Sequence, residues 1–182
     1  MLGNPKSDQK IEKAIIYLVD NFKKSGHNPK PVVLHSIRVG IMLSAMDKPD
    51  EAVIAGILHD IIEDTAVTIE EIQKDFGEEV AVLVQSCTFD PTITDKTEQY
   101  KEAFQRSLIL GRDSLEIRAV DIYTNSFFYK FDPKQEAGFN YVISKMKYFL
   151  SISQGIIDKH IYYQLRQRFN ELTKDSMASV KN

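Results

Sequence analysis

The chain has 182 residues, 43% of them hydrophobic and 27% charged, with a formal net charge of −3. That length suits one domain with a sizeable core rather than two, and no apolar run approaches the roughly 20 residues of a membrane span. A mildly negative chain lacks the electrostatic footprint of a duplex nucleic-acid binder, although a cleft with local positive charge remains open to a small anion.

The first six residues do not follow the basic, apolar, small-residue order of a secretory signal, so a cytoplasmic location is expected. Ile11, Ala14, Ile15, Leu18 and Phe22 recur at three-four spacing and predict a first helix over Gln9 to Phe22. Gly26, Asn28, Pro29 and Pro31 break it, and a second helix, carrying His35, is predicted from Val32 to Met46. His27 falls in the break and reads as exposed.

A third helix is predicted from Asp50 to Asp64. Its apolar run Ala52 to Leu58 leads into His59-Asp60-Ile61-Ile62-Glu63-Asp64-Thr65. On one continuous helix Glu63 falls above His59 and Asp64 above Asp60, forming a polar face at the end of a buried segment. Two physical readings fit. Either the helix end is solvated, or the imidazole and carboxylates hold a cation in a cleft, since burying such groups without partners costs several kcal/mol, roughly. Nitrogen and carboxylate donors together suit Mn²⁺, Fe²⁺, Zn²⁺ or Mg²⁺, and a further acidic pair can position or deprotonate a water.

Thr68-Ile69-Glu70-Glu71 has the capping-box pattern and predicts a short helix ending near Gly77, followed by a helix from Glu78. The run Val80 to Val84 reads as helix rather than strand, and the single Cys87 as a packed thiol. Thr88 to Lys96 is a loop, and a helix follows over Thr97 to Leu110 with Asp95 as its cap. Asp113 to Glu116 is expected to cap the next helix, which carries Asp121 and Asn125 and ends by Pro133. Helices over Gly138 to Gly155 and Asp158 to Thr173 complete an all-α reading, with 174–182 as a flexible tail.

His35 is flanked by apolar residues, so it is either a core histidine bonded to a carbonyl or a ligand. Asp121 has the same ambiguity, because Arg118 one turn earlier is an available ion-pair partner. His160, at the start of the last helix, is not a ligand candidate. Together, His35, His59, Asp60 and Asp121 offer two nitrogens and two carboxylates from three helices, the makings of a mononuclear site in a bundle.

The order His35, His59-Asp60, Asp121, with the extension Glu63-Asp64-Thr65 and the following Thr68, Ile72, Phe76-Gly77 and Val80-Ala81, resembles the HD-domain phosphohydrolase superfamily. Within it, the chain is similar to the hydrolase domain of RelA/SpoT proteins and to small stand-alone alarmone hydrolases of the metazoan SpoT homologue type. The resemblance spans about Lys23 to Leu150. It implies an HD-domain helical bundle over 1–173 and Mn²⁺-dependent removal of the 3′-pyrophosphate from guanosine tetra- or pentaphosphate. By position it implies His35, His59, Asp60 and Asp121 as metal ligands, and Glu63 and Asp64 as the pair that orients the attacking water. Asn125 falls near the nucleotide, as do Lys23 and Lys24 where relatives carry an arginine, and Lys145 and Tyr148 match a basic-aromatic segment that holds phosphates. Two other readings keep this residue set: an HD phosphatase acting on NADPH or a nucleoside monophosphate, and a nucleotide-binding module without turnover. The chain lacks the long segments of a synthetase, so a stand-alone hydrolase is expected; its oligomeric state is not legible.

Overall fold

The computed structural model describes residues 4–26, 31–129 and 135–179, with side chains through 174; His27 and Pro133 lie outside the described residues. Helices and one 3₁₀ turn make up the regular structure, and no strand occurs among the described residues. The chain divides into two compact units, Met1–Phe89 and Asp90–Asn182.

In the first unit, α1 (Pro5–Ser25) begins with Asn4, whose side chain accepts from the Lys6 amide, and with Pro5, whose missing N–H costs nothing there. Gly26 ends it in the left-handed region at φ 66°, a conformation that any β-carbon would strain. The helix therefore extends beyond the Gln9 to Phe22 expected from periodicity, at both ends. It is followed by α2 (Val32–Ala45), α3 (Asp50–Leu58), α4 (Ile61–Asp64), α5 (Ile69–Phe76) and α6 (Glu78–Cys87). Thr68 and Glu71 form the expected reciprocal capping box of α5. Val80 and Val84 are buried within α6, as is Cys87, so this run is helix as expected.

α3 is the centre of this unit. Ala52 through Leu58 are buried without interruption, because α1, α2 and α6 pack around the helix. Two glycines set the closest of these approaches. A Cβ at Gly40 of α2 would overlap Ile57 of α3, and one at Gly56 of α3 would overlap Leu43 of α2. Each glycine thus receives a large side chain of the opposite helix, and the two backbones come closer than branched residues at both positions permit.

The second unit contains α7 (Lys96–Leu110), α8 (Arg112–Asn125), a 3₁₀ turn (Ser126–Phe128), α9 (Glu136–Ser153) and α10 (Lys159–Ser179). Asp95 caps α7 as expected, accepting from the Thr97 and Glu98 amides at 2.8 and 2.9 Å. The expected acidic cap of α8 is not the observed one: Gly111 at φ 115° precedes the helix, and no side chain caps it. Glu116, the last residue of that pattern, is instead turned into the core with no exposure. There it accepts from Arg112 Nε and from the Asp158 amide, both at 2.8 Å. α8 is central to this unit, buried from Ser114 through Ile122 against α7, α9 and α10. Asp158 caps α10 from its side chain, accepting from the His160 amide at 2.8 Å. His160 is exposed, and α10 continues beyond Thr173 to Ser179.

Candidate metal centre

Each unit buries one helix through its middle: His59 and Asp60 directly follow the end of α3, and Asp121 and Asn125 lie toward the C-terminal end of α8. In the first unit the Gly40 and Gly56 contacts draw α2 and α3 together, and this brings His35 against His59. Both imidazoles are 1% exposed, their ring centroids are 5.2 Å apart at an interplanar angle of 71°, and they offer ligand atoms within 4.8 Å of each other.

The helix expected to run unbroken from Asp50 to Asp64 is interrupted at this point. α3 ends at Leu58, and Asp60 takes φ −96° and ψ −4°, in the bridge region, before α4 starts. No proline or glycine causes the break. It falls where the polar side chains find partners off the helix axis. His59 Nδ1 is 2.8 Å from the Gly56 carbonyl. A carbonyl only accepts, so Nδ1 carries the proton and the neutral ring presents its lone pair at Nε2. That nitrogen is 3.2 Å from Asp60 Oδ1, while the other carboxylate oxygen, Oδ2, is 4.0 Å from His35 Nε2.

Asp60 therefore directs one oxygen toward each imidazole. An acceptor nitrogen facing a carboxylate at this distance is stable only with a positive charge between them, a proton or a metal ion. The carbonyl bond to the far ring nitrogen is the usual support for a ligand histidine, since it fixes both tautomer and ring orientation. The Asp60 side chain is 22% exposed against 1% for both histidines, so the cluster opens to solvent through its carboxylate. Imidazole with carboxylate fits a divalent first-row ion or Mg²⁺.

The acidic pair lies just beyond, on the four-residue α4. The Phe89 amide donates to Glu63 Oε1 at 2.7 Å, a charge-assisted bond that fixes the Glu63 carboxylate from the end of the unit. Asp64 is half-buried. Thr65 serves the backbone: its hydroxyl donates to the Ile61 carbonyl at 2.6 Å and accepts from the Val67 amide, closing α4. Lys23 and Lys24 are exposed in the last turn of α1, where cations complement the helix C-terminus.

In the second unit Asp121 is 5% exposed, and Asn125 Nδ2 donates to its Oδ1 at 2.6 Å. One turn apart on α8, the amide orients the carboxylate. Nearby, Phe104 of α7 stacks on Tyr148 with ring planes 12° apart, while the Arg118 guanidinium and Lys145 ammonium lie 5.7 and 5.8 Å from the Phe104 centroid. Gln105 donates to the Tyr148 hydroxyl at 2.8 Å. Lys145 and Tyr148 thus both lie against Phe104, in one cation-aromatic cluster.

Three supporting groups were not legible in the sequence. The Gly56 carbonyl and the Asn125 to Asp121 bond follow from three-four spacing once the helices are known. The Phe89 amide lies 26 residues from Glu63, and no local pattern announces it.

Residues 14–108 match the family model described as HD domain. The chain is 36% identical over 101 residues to the guanosine-3′,5′-bis(diphosphate) 3′-pyrophosphohydrolase of Borreliella burgdorferi, covering 56% of this chain and 15% of that protein. It is 40% identical over 82 residues to the protein of the same name from Aquifex aeolicus, covering 45% and 12%. The chain thus spans less than a fifth of these curated relatives. Among solved structures it is similar to one described as a metazoan ortholog of SpoT that hydrolyzes ppGpp, with a TM-score of 0.73, 20% identity, and coverage of 89% of this chain and 94% of the other.

Proposed function

This chain belongs to the HD-domain family, and from that premise we propose that it is a divalent-metal-dependent phosphohydrolase acting on guanosine 3′,5′-bis(diphosphate), releasing the 3′-pyrophosphate. The observation that carries the reading is Asp60, with one oxygen toward each of two buried imidazoles. His35, His59 and Asp60 are the proposed ligands, with Asp121, held by Asn125, as the fourth. Mn²⁺ is the proposed ion; Fe²⁺, Zn²⁺ and Mg²⁺ accept the same donors. When bound, the ion supplies Lewis acidity toward a phosphoryl oxygen and lowers the pKa of water.

The chain's own residues supply the rest of the mechanism. The bond between His59 Nδ1 and the Gly56 carbonyl orients the ring so that Nε2 is the nitrogen turned toward Asp60 and available to a metal ion. Glu63, fixed from the Phe89 amide, and Asp64 orient the attacking water, and one of them takes its proton as the new P–O bond forms; that proton passes to the ribose 3′-oxygen as its bond to phosphorus breaks, leaving a 3′-hydroxyl and pyrophosphate. Asn125, Lys145 and Tyr148, with Lys23 and Lys24, are the proposed contacts to the nucleotide and its phosphates. A cytoplasmic setting belongs to the same reading, and no helix among the described residues is long and apolar enough to cross a membrane.

Two exposed lysines where relatives carry an arginine favour one second reading, in which another nucleotide such as NADPH or a nucleoside monophosphate is the substrate. A lysine cannot supply the planar, bidentate contacts of a guanidinium. The test is a chromatographic assay of purified protein with each metal against ppGpp and these nucleotides. Pyrophosphate release from ppGpp with Mn²⁺ is expected, and its absence with every metal overturns the proposal.

A further inference from the structure

α9 and α10 pack together in the second unit, and between them lies a solvent-open groove of about 250 Å³. Its lining follows helical periodicity on both sides: Lys147, Leu150, Ser151 and Gln154 from α9, facing Tyr162, Arg166, Phe169 and Asn170 from α10. None of these residues belongs to the candidate metal centre or to the Phe104 cluster. No carboxylate lines the groove, although acidic residues outnumber basic ones in the whole chain, 26 to 23.

The two cations are the informative pair. On helices, a solvent-facing lysine or arginine can meet a carboxylate three or four residues away, and three in this chain do: Lys101 with Glu98, Arg106 with Glu102, Arg168 with Glu171. The positions three and four residues from Lys147 are Ile143, Ser144, Leu150 and Ser151, and those from Arg166 are Tyr162, Tyr163, Phe169 and Asn170. Neither cation joins an ion pair among the described residues. Arg168, only two residues from Arg166 but turned away from the groove, is paired.

The remaining lining complements that charge. Leu150 is buried beneath the groove, and Tyr162 and Phe169 are half-buried in its lining, so aromatic side chains share the groove with the two cations. Gln154 and Asn170 add amides able to donate and accept at once. We propose that this groove is a second binding site, for a small planar organic anion: one aromatic ring joined to a phosphate or carboxylate, the ring against Tyr162 and Phe169 and the anion between Lys147 and Arg166. Ring stacking and charge-assisted bonding act at opposite ends of such a ligand, and the groove admits no more than a compact molecule.

The test uses the whole protein, labelled for NMR, titrated with phenyl phosphate, 5′-GMP and inorganic phosphate. Phenyl phosphate and 5′-GMP are expected to shift the Tyr162 and Phe169 ring resonances saturably, with inorganic phosphate binding at least tenfold more weakly. The Lys147→Gln, Arg166→Gln double variant is expected to weaken phenyl phosphate at least tenfold while metal content and phosphohydrolase activity stay at the parent level. Equal affinity for phosphate and phenyl phosphate, no ring shifts at millimolar ligand, or an unchanged Kd in the folded double variant overturns the proposal. Because binding is read at the groove, its failure is distinct from absence of ppGpp turnover.

Discussion

Gly40 lies so close to Ile57 that a methyl group on the glycine would overlap the Cγ1 atom of the isoleucine, with the Val53 carbonyl 3.3 Å away on the same side. Ile57 is 2% exposed and has little room to withdraw. Gly40→Ala is expected to destabilise the protein by about 1–3 kcal/mol through overpacking, despite alanine's better helix propensity. Because the contact holds α2 on α3, metal binding at His35 and His59 should weaken as well. Gly138→Ala is the control: it meets open space, and the change is expected to be neutral or stabilising by up to about 1 kcal/mol. Chemical denaturation and metal titration of both variants check the pair.

Asn125 Nδ2 donates to Asp121 Oδ1 at 2.6 Å, one turn away on α8. Asn125→Ala removes this bond to the proposed ligand carboxylate, so metal affinity is expected to fall about 10–100-fold with the helical circular dichroism unchanged. Asp121→Asn should lose more. Isothermal titration with Mn²⁺ measures both, and equal affinity in parent and Asn125→Ala protein would sink the positioning role.

Glu116 joins Arg112 to the start of α10 through the Asp158 amide. Glu116→Ala is expected to cost about 2–3 kcal/mol, from an amide left unsatisfied and a space left in the core. Glu116→Gln keeps an acceptor for the amide and should cost less. Arg112→Ala should cost least, since the Arg112 side chain is 56% exposed. Urea melts order the three.

Both the amide and the hydroxyl of Thr92 donate to one oxygen of Asp90, at 2.8 and 2.7 Å, and these bonds hold the Asp90 carboxyl below its ordinary pKa. A lowered folded pKa contributes stability that is present above the unfolded value and is lost as pH falls through the folded one. Thr92→Val removes the hydroxyl bond and should move the Asp90 pKa up toward that of a free aspartate, read by carboxyl-carbon NMR against pH.

Metal removal provides a global check on the ligand set. A chelator is expected to lower the melting temperature of the parent and to leave that of His59→Gln nearly unchanged, because only a bound ion stabilises the folded state.

Most of the helices and the residue types of the site were legible from spacing, because three-four periodicity and the capping box at Thr68 are local properties. The interruption at His59 and Asp60 was not. The spacing of the polar residues and the absence of proline or glycine favour continuing through Ile61 and Ile62, and what the local pattern does not contain is the approach of Asp60 to two imidazoles, one of them on another helix. Glu116 misled for the same reason: Asp113-Ser114-Leu115-Glu116 reads locally as a cap, whereas its acid is claimed by an amide 42 residues away. Gly26, by contrast, ended α1 where its backbone freedom allowed, and the added turn carries Lys23 and Lys24 on a helix rather than a loop.

The interruption also separates two mechanical regimes. His35 lies on the 14-residue α2 and His59 directly follows the buried run of α3, whereas Glu63 and Asp64 lie on a single turn far too short to persist by its own hydrogen bonding. That turn is secured at its ends, by Thr65 on Ile61 and by Glu63 on Phe89. The proposed ligand His59 thus adjoins the most buried helix of its unit, while the proposed acids depend on two bonds made at the ends of their turn, so loss of either bond should disturb the acids more than the histidines.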